Sequence, residues 1–152
     1  MKKGVNMKST ILLVFLFSAS IASARIGETF SQCKSRYGEP LVHNEEVTIF
    51  QKNGLQIAVF FYQGKACALF FEKVEKDVLG RCVEISDDEK IILLNANGSG
   101  WKGGFGKWTS EGGLLSAQYT HLDNKLAIIT KDAVNRSASE SERKAAEKLK
   151  DF

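Results

Sequence analysis

Two turn signals, Asn53-Gly54 and Gln63-Gly64, constrain the fold of this chain more than any other feature of its sequence. An Asn-Gly pair favours a tight hairpin turn because both of its residues accept positive φ angles. The runs on either side of the two turns are rich in apolar, β-branched and aromatic residues, which favour strands. The sequence therefore predicts an antiparallel meander with strands over 47–51, 55–62 and 65–71.

Two-residue turns fix the pairing across them and so assign each residue to one face of the predicted meander. One face would carry Thr48, Phe50, Leu55, Ile57, Val59, Phe61, Ala66, Ala68 and Phe70. The other would carry Val47, Ile49, Ala58, Phe60, Tyr62, Cys67, Leu69 and Phe71. Both faces are apolar, and an apolar face needs cover from another element. We expect a helix on the first face, and either the rest of the chain or a partner on the second.

A short helix is predicted directly before the meander. Thr29 and Gln32 form a capping box, in which the two side chains satisfy backbone N–H groups at a helix start. Gly38 indicates the helix end, with Pro40 just beyond. The apolar stripe of this helix consists of Phe30, Cys33 and Tyr37.

The second half of the chain has a similar order of elements. Ser86 and Glu89 form another capping box, and this second helix should end before Gly98. A turn at Asp123-Asn124 joins two further predicted strands. These strands cover 114–120 and 125–130, and a short one over 108–110 precedes them.

The predicted fold class is α+β, with a short helix packed on a three-stranded antiparallel meander, and a tandem repeat of this unit is a hypothesis about the topology. One domain would cover 25–130, with possible halves 25–80 and 81–130. The remaining 131–152 are rich in Ser, Ala and mixed charge, and they predict a charged helical or flexible tail. Ser139 and Glu142 are the predicted cap of that C-terminal helix.

The first 24 residues have the parts of a secretory signal peptide: lysines, an apolar run at 11–17, and Ala22-Ser23-Ala24 before the cleavage point. We expect cleavage after Ala24, export to the periplasm or the cell exterior, and no integral membrane segment afterwards. The whole chain has 21 basic and 18 acidic residues, and the leader contains three lysines and no acid. This leaves 18 of each sign from residue 25 on, which gives no electrostatic case for a nucleic-acid partner.

The three cysteines are Cys33, Cys67 and Cys82. Export permits a disulfide, and Cys67 with Cys82 is the least unlikely pair. Free buried thiols are favoured over this bridge, because any small apolar residue would fill the same positions.

Candidate catalytic groups are few. His43 and His121 are the two histidines, and a nucleophilic site would need one of them beside Cys82 or a serine. The stretch from Gly98 to Gly103 matches a dinucleotide-binding fingerprint, but it follows a predicted helix instead of a strand. No Cys or His residues stand at metal-ligand spacing. We predict neither metal nor cofactor.

Several structural motifs resemble those of two bacterial families, the small lipoproteins of the outer-membrane barrel-assembly machinery and the β-lactamase inhibitory proteins. The shared positions are Gly27-Glu28-Thr29, Gln32-Cys33, Tyr37-Gly38-Glu39-Pro40, Ile57, Val59, Phe61 and Gly64. The chain also looks like exported proteins of unknown function with a later Trp and an Ala-x-Tyr strand, here Ala117-Gln118-Tyr119. These resemblances imply a helix-plus-meander unit and a binding role. The chain lacks the lipid-bearing cysteine of the lipoproteins.

The predicted function is a noncatalytic module of the cell envelope or periplasm that binds another protein. Aromatic residues dominate binding surfaces. The predicted contact residues are Phe60, Tyr62, Phe71, Trp101 and Trp108. The alternative is a small hydrolase or thiol enzyme that uses Cys82 or His121.

Overall fold

The structure is a computed structural model, and it describes residues 25–148. The predicted leader over 1–24 lies outside these residues, as does the end of the predicted tail, 149–152. The fold is α+β, as predicted, and the described part of the chain forms three α-helices and one eight-stranded antiparallel sheet. The helices are α1 (Phe30–Tyr37), α2 (Asp87–Asn97) and α3 (Lys131–Lys148). The strands are β1 (Val42–His43), β2 (Thr48–Lys52), β3 (Leu55–Tyr62), β4 (Lys65–Lys73), β5 (Lys102–Gly104), β6 (Lys107–Thr109), β7 (Leu115–Thr120) and β8 (Lys125–Thr130).

Both predicted capping boxes are confirmed. At the start of α1, Gln32 Oε1 accepts a hydrogen bond from the Thr29 N–H at 2.8 Å, and the Thr29 hydroxyl accepts one from the Gln32 N–H. Ser86 and Glu89 make the equivalent pair at the start of α2. Since these bonds satisfy N–H groups that have no partner within the helix, they fix where each helix begins.

The sheet has the strand order β1-β2-β3-β4-β8-β7-β6-β5. The predicted three-stranded meander is confirmed as β2–β3–β4 and forms part of a larger sheet: β1 extends it at one edge, and β4 pairs with β8 at the other. One continuous sheet runs through the possible halves 25–80 and 81–130. Each half contains a helix followed by antiparallel strands, and descent of the two halves from a tandem repeat stays a prediction.

The predicted register is wrong in β4. Cys67 is an extra residue at a β-bulge, since Phe61 pairs with Ala66 whereas Phe60 pairs with Ala68. A bulge moves every later side chain to the opposite face. Leu69 and Phe71 consequently pair with Val59 and Ile57 on the face predicted to hold Ala68 and Phe70.

One face of the sheet, here called the core face, packs against α1 and α2. Its fully buried side chains include Phe50, Ile57, Leu69, Phe71, Leu126 and Ile128, which join Cys33 and Tyr37 of α1 and Leu93 and Leu94 of α2 in one cluster. Burial of each such side chain contributes about 1.5–3 kcal/mol. The core face therefore supplies most of the packing that holds the sheet and the two helices together.

The opposite face of the sheet is here called the outer face. Its residues include Ala58, Phe60, Tyr62, Ala68, Phe70, Ser116, Gln118, Ala127 and Ile129. The helix α3 contacts this side of the sheet through β8 and a ring contact to Tyr62. The predicted cover for the second face thus comes in part from the chain itself.

The start of the C-terminal helix was predicted wrongly at Ser139. Helix α3 follows β8 directly, and the Thr130 hydroxyl accepts a hydrogen bond from the Ala133 N–H at 3.1 Å. This bond caps the helix nine residues before the predicted cap, where β8 ends. Of the helices in the described part of the chain, none has the length and apolarity needed to cross a membrane.

Candidate functional site

A concave hollow of about 620 Å³ opens on the outer face of the sheet, and it is here called the outer groove. Its floor is apolar at Phe70, Ala127 and Ile129, with polar side chains from Ser116, Gln118 and Thr120 of β7. Val134 of α3 lines one side, and the β5–β6 hairpin lines another through Lys102, Lys107 and Thr109. The backbones of Gly103, Trp108 and Ala117 complete the lining residues. Smaller hollows lie beside Phe30 and His43, and between α2 and Phe105.

Helix α3 is held at the side of the outer groove by contacts at its first two turns. The Lys131 N–H donates to the Leu114 carbonyl at 2.8 Å, which continues the β7–β8 pairing into the helix start. The guanidinium carbon of Arg136 lies 3.7 Å from the centroid of the Tyr62 ring on β3. The helix therefore covers the outer face toward β3 and leaves the β5–β7 side open.

The β5–β6 hairpin forms the opposite side, and the sequence predicted only part of it. The short strand expected over 108–110 corresponds to β6, whereas β5 was not predicted. Within the glycine-rich stretch, β5 and β6 pair around a turn at Phe105-Gly106, where both φ angles are positive. The Gly106 carbonyl accepts a hydrogen bond from the Tyr119 N–H at 2.7 Å, which fastens the turn to β7. Since the glycine-rich stretch follows α2 and leads into a strand, the strand–turn–helix context of a dinucleotide site is not present in it.

The predicted contact residues are distributed over three environments. Phe60 and Tyr62 lie on the outer face toward α3. Trp108 is half-buried and pairs with Ala117, so its side chain packs on the core face and only its backbone lines the outer groove. Trp101 packs against the core, and its indole N–H donates to the Leu94 carbonyl at 2.8 Å. Phe71 is fully buried on the core face. Its prediction as a surface residue is wrong, and the bulge at Cys67 is the physical reason.

Besides Trp108, none of the residues that line the outer groove was predicted as a contact residue. The five that set its chemical character are Phe70, Lys102, Lys107, Ala127 and Ile129. The pairing of β4 with β8 brings the three apolar ones together across a long sequence separation. The alternation along 102–109 would have placed both lysines on one side of a hairpin had Phe105-Gly106 been recognised as its turn.

The cysteines are free thiols, and the bridge between Cys67 and Cys82 is not formed. The Cys82 thiol is nearly buried, with Lys76 Nζ 2.7 Å and Glu72 Oε2 3.5 Å from its Sγ atom. The hydrogen bond to this thiol raises the pKa of Lys76 above its usual value. In α1, burial and then the Glu28 carboxylate raise the pKa of the Cys33 thiol to about 12. Cys33 is therefore a neutral core residue at physiological pH.

Both histidines contact aromatic and polar side chains. His43 stacks on Phe30 with ring centroids 4.3 Å apart, and its Nδ1 lies 2.8 Å from the Thr48 hydroxyl. His121 contacts the Tyr119 ring edge-on and lies 3.8 Å from Glu84 Oε1. Among residues 25–148, neither histidine forms a hydrogen bond with a cysteine side chain.

Residues 25–148 contain no group of three Cys, His, Asp or Glu side chains that could hold a metal ion. Comparison of the chain with family profiles, curated proteins and solved structures finds no match. The outer groove is the surface with the clearest means of holding a ligand, because it combines an open apolar floor with polar sides.

Proposed function

We propose that this chain is an exported, noncatalytic domain that binds another protein in the periplasm or outside the cell, and that the outer groove is its contact surface. The observation that carries the proposal is the open part of the outer face, where Phe70, Ala127 and Ile129 form a floor that α3 leaves uncovered. An apolar concavity beside polar groups is typical of a recognition surface. The resemblance to the barrel-assembly lipoproteins and the β-lactamase inhibitory proteins is consistent with this role.

Export is supported by the leader pattern and by the way the fold begins. The Ile26 N–H donates to Asn97 Oδ1 at 3.0 Å, and the Gly27 N–H donates to the Ala66 carbonyl at 2.8 Å. These contacts start just after the predicted cleavage point, so cleavage after Ala24 leaves all of them intact. The intact mass of the chain, secreted by cells that carry the full-length gene, should correspond to residues 25–152. A mass that retains the leader would contradict export by this route.

The binding role is tested by affinity capture from envelope extracts with full-length protein that carries a C-terminal tag. Gln118 is exposed in the outer groove, and Gln118→Trp fills the groove without altering the core. We expect a stoichiometric partner that is retained by the wild type and lost with Gln118→Trp.

A matched control is available on the same face of the sheet. Gln51 is an exposed residue of β2 that does not line the outer groove. Gln51→Trp introduces the same side chain and should retain the partner. Capture that is equal for both variants would place the contact surface elsewhere, and the absence of any stoichiometric partner would contradict the binding role.

A further inference from the structure

The outer groove carries a local positive charge. Lys102 and Lys107 lie on the outer side of the β5–β6 hairpin. Lys107 pairs with the outer-face residue Gln118, and Lys102 pairs with Thr109, which itself pairs with Ser116 on that face. Both lysines are exposed and line the groove, and none of the residues that line it is acidic. The positive charge belongs to this surface, since the chain from residue 25 on contains equal numbers of basic and acidic residues.

These two lysines differ from several others in the fold. Lys73, Lys90 and Lys125 each form an ion pair with a carboxylate at 2.8–3.2 Å. Among residues 25–148, no carboxylate forms an ion pair with Lys102 or Lys107. An ammonium group beside an apolar floor attracts a ligand that supplies the missing negative charge.

We propose that the outer groove recognises an acidic peptide segment of the partner, with Lys102 and Lys107 contacting its Asp or Glu side chains. This inference rests on the binding role proposed for the groove. The apolar side chains of the segment would pack on Phe70 and Ile129, while the hydroxyl and amide groups of Ser116 and Gln118 are placed to hydrogen-bond its backbone.

A peptide fits these features better than a nucleic acid. Nucleic-acid binding relies on neutralising many phosphates along a basic track, whereas this surface offers two lysines over an apolar floor. A short segment with alternating apolar and acidic residues presents its apolar side chains to one side and its charges to the other when extended. Apolar contact and ion pairing can then occur together.

The test uses purified exported protein and a displayed library of random peptides of about 12 residues, which span about 40 Å when extended. We expect enrichment of peptides with a net negative charge. The dissociation constant of a selected peptide should rise about tenfold with Lys102→Glu/Lys107→Glu, because two ion pairs become repulsive. Gln118→Trp should also raise the dissociation constant of this peptide.

The control variant is Lys65→Glu/Arg143→Glu, which changes the net charge equally at two exposed positions outside the groove. It should leave the dissociation constant within about twofold of the wild type. Gln118→Trp could weaken the binding of selected peptides that are neutral, or that bind Lys102→Glu/Lys107→Glu as tightly as the wild type. That result would overturn the acidic specificity and leave the groove as a binding surface.

Other occupants give different results. A concentration-dependent dimer that Gln118→Trp abolishes in light scattering would assign the groove to a second copy of the chain and overturn the peptide proposal. Binding to phosphatidylglycerol vesicles that Lys102→Glu/Lys107→Glu abolishes, without any acidic peptide enrichment, would assign it to a lipid headgroup and also overturn the proposal. If affinity capture yields a groove-dependent partner but no peptide is enriched, the inference about peptides fails and the proposed function stands.

Discussion

The guanidinium carbon of Arg136 lies 3.7 Å from the centroid of the Tyr62 ring, and this contact joins α3 to β3 across the outer face. It involves two side chains that are far apart in the sequence. The start of α3 is also the side of the outer groove that presents Val134. The position of α3 therefore determines how much of the apolar floor stays open.

Arg136→Ala should loosen α3 without unfolding the sheet. An exposed cation–π contact contributes about 0.5–1 kcal/mol, so hydrogen exchange of the α3 amides should become several-fold faster while the strands keep their protection. Hydrogen-exchange mass spectrometry measures this directly. Arg143→Ala, at an exposed position on the same helix, should have no such effect. Unchanged α3 exchange in Arg136→Ala would show that the ring contact does not hold the helix.

Gly103→Ala should disrupt the β5–β6 hairpin, whereas Gly104→Ala should not. Gly103 has a φ of 140°, and a Cβ atom there would overlap with the carbonyl oxygen of Lys107 across the hairpin. A Cβ atom at Gly104 meets nothing within 4 Å. We expect Gly103→Ala to lower the free energy of unfolding by about 1–3 kcal/mol, and chemical denaturation measures this loss. Equal stability of the two variants would contradict the hairpin geometry.

Tyr37→Phe should leave the stability unchanged or increase it by up to about 1 kcal/mol. Tyr37 is buried, with its ring 5.3 Å from that of Phe50, and its hydroxyl has no hydrogen-bond partner among the described residues. Removing an unsatisfied buried hydroxyl costs little. Tyr37→Ala should lower the free energy of unfolding by about 3–5 kcal/mol because it empties the same site. A large loss in Tyr37→Phe on urea denaturation would show that the hydroxyl has a partner.

The stability of the protein should depend on Glu89 at acidic pH. Burial alone would raise the pKa of this carboxyl, but its ion pair with Lys73 at 2.8 Å and its hydrogen bond from the Ser86 N–H hold the pKa below the ordinary value of 4.5. A lowered pKa in the folded state contributes stability above the ordinary pKa, and that stability is lost as the pH falls through the lower value.

Glu89→Gln should therefore flatten the decline of the unfolding free energy between about pH 5 and pH 3. The difference from the wild type should be less than about 1 kcal/mol, since the ion pair is partly exposed. Lys73→Met should have a similar but smaller effect because it removes only the ion pair. Thermal denaturation across this pH range measures both variants. If the unfolding free energy of Glu89→Gln declines with falling pH as steeply as that of the wild type, the lowered pKa of Glu89 is contradicted.

The local parts of the fold were predictable because their signals are local. The two helix starts are indicated by the capping boxes of Thr29 with Gln32 and of Ser86 with Glu89. The first hairpin is indicated by Asn53-Gly54. The β-bulge at Cys67 has no such signal, since one extra residue in a uniformly apolar strand leaves the composition of both faces unchanged. The true face of Phe71 therefore became clear only from the strand pairing.

The outer groove was less predictable than the fold, because it depends on contacts between distant parts of the chain. Its floor requires β4 to pair with β8, and its side requires α3 to return over the sheet after Thr130. Of the predicted contact residues, Trp108 borders the groove only through its backbone, because its side chain packs on the core face. The position of Lys102 and Lys107 in the groove was not predicted, because the glycine-rich composition of their hairpin gives a weak strand signal.

Site-specific photocrosslinking in living cells tests the central claim, that a protein partner binds in the outer groove. A benzophenone amino acid at Gln118 would lie within the groove, and the same group at Ile92 would lie on the exposed side of α2. We predict one dominant protein adduct from position 118 and no such adduct from position 92. No adduct from position 118, or the same adduct from both positions, would contradict the assignment of the groove as the binding surface.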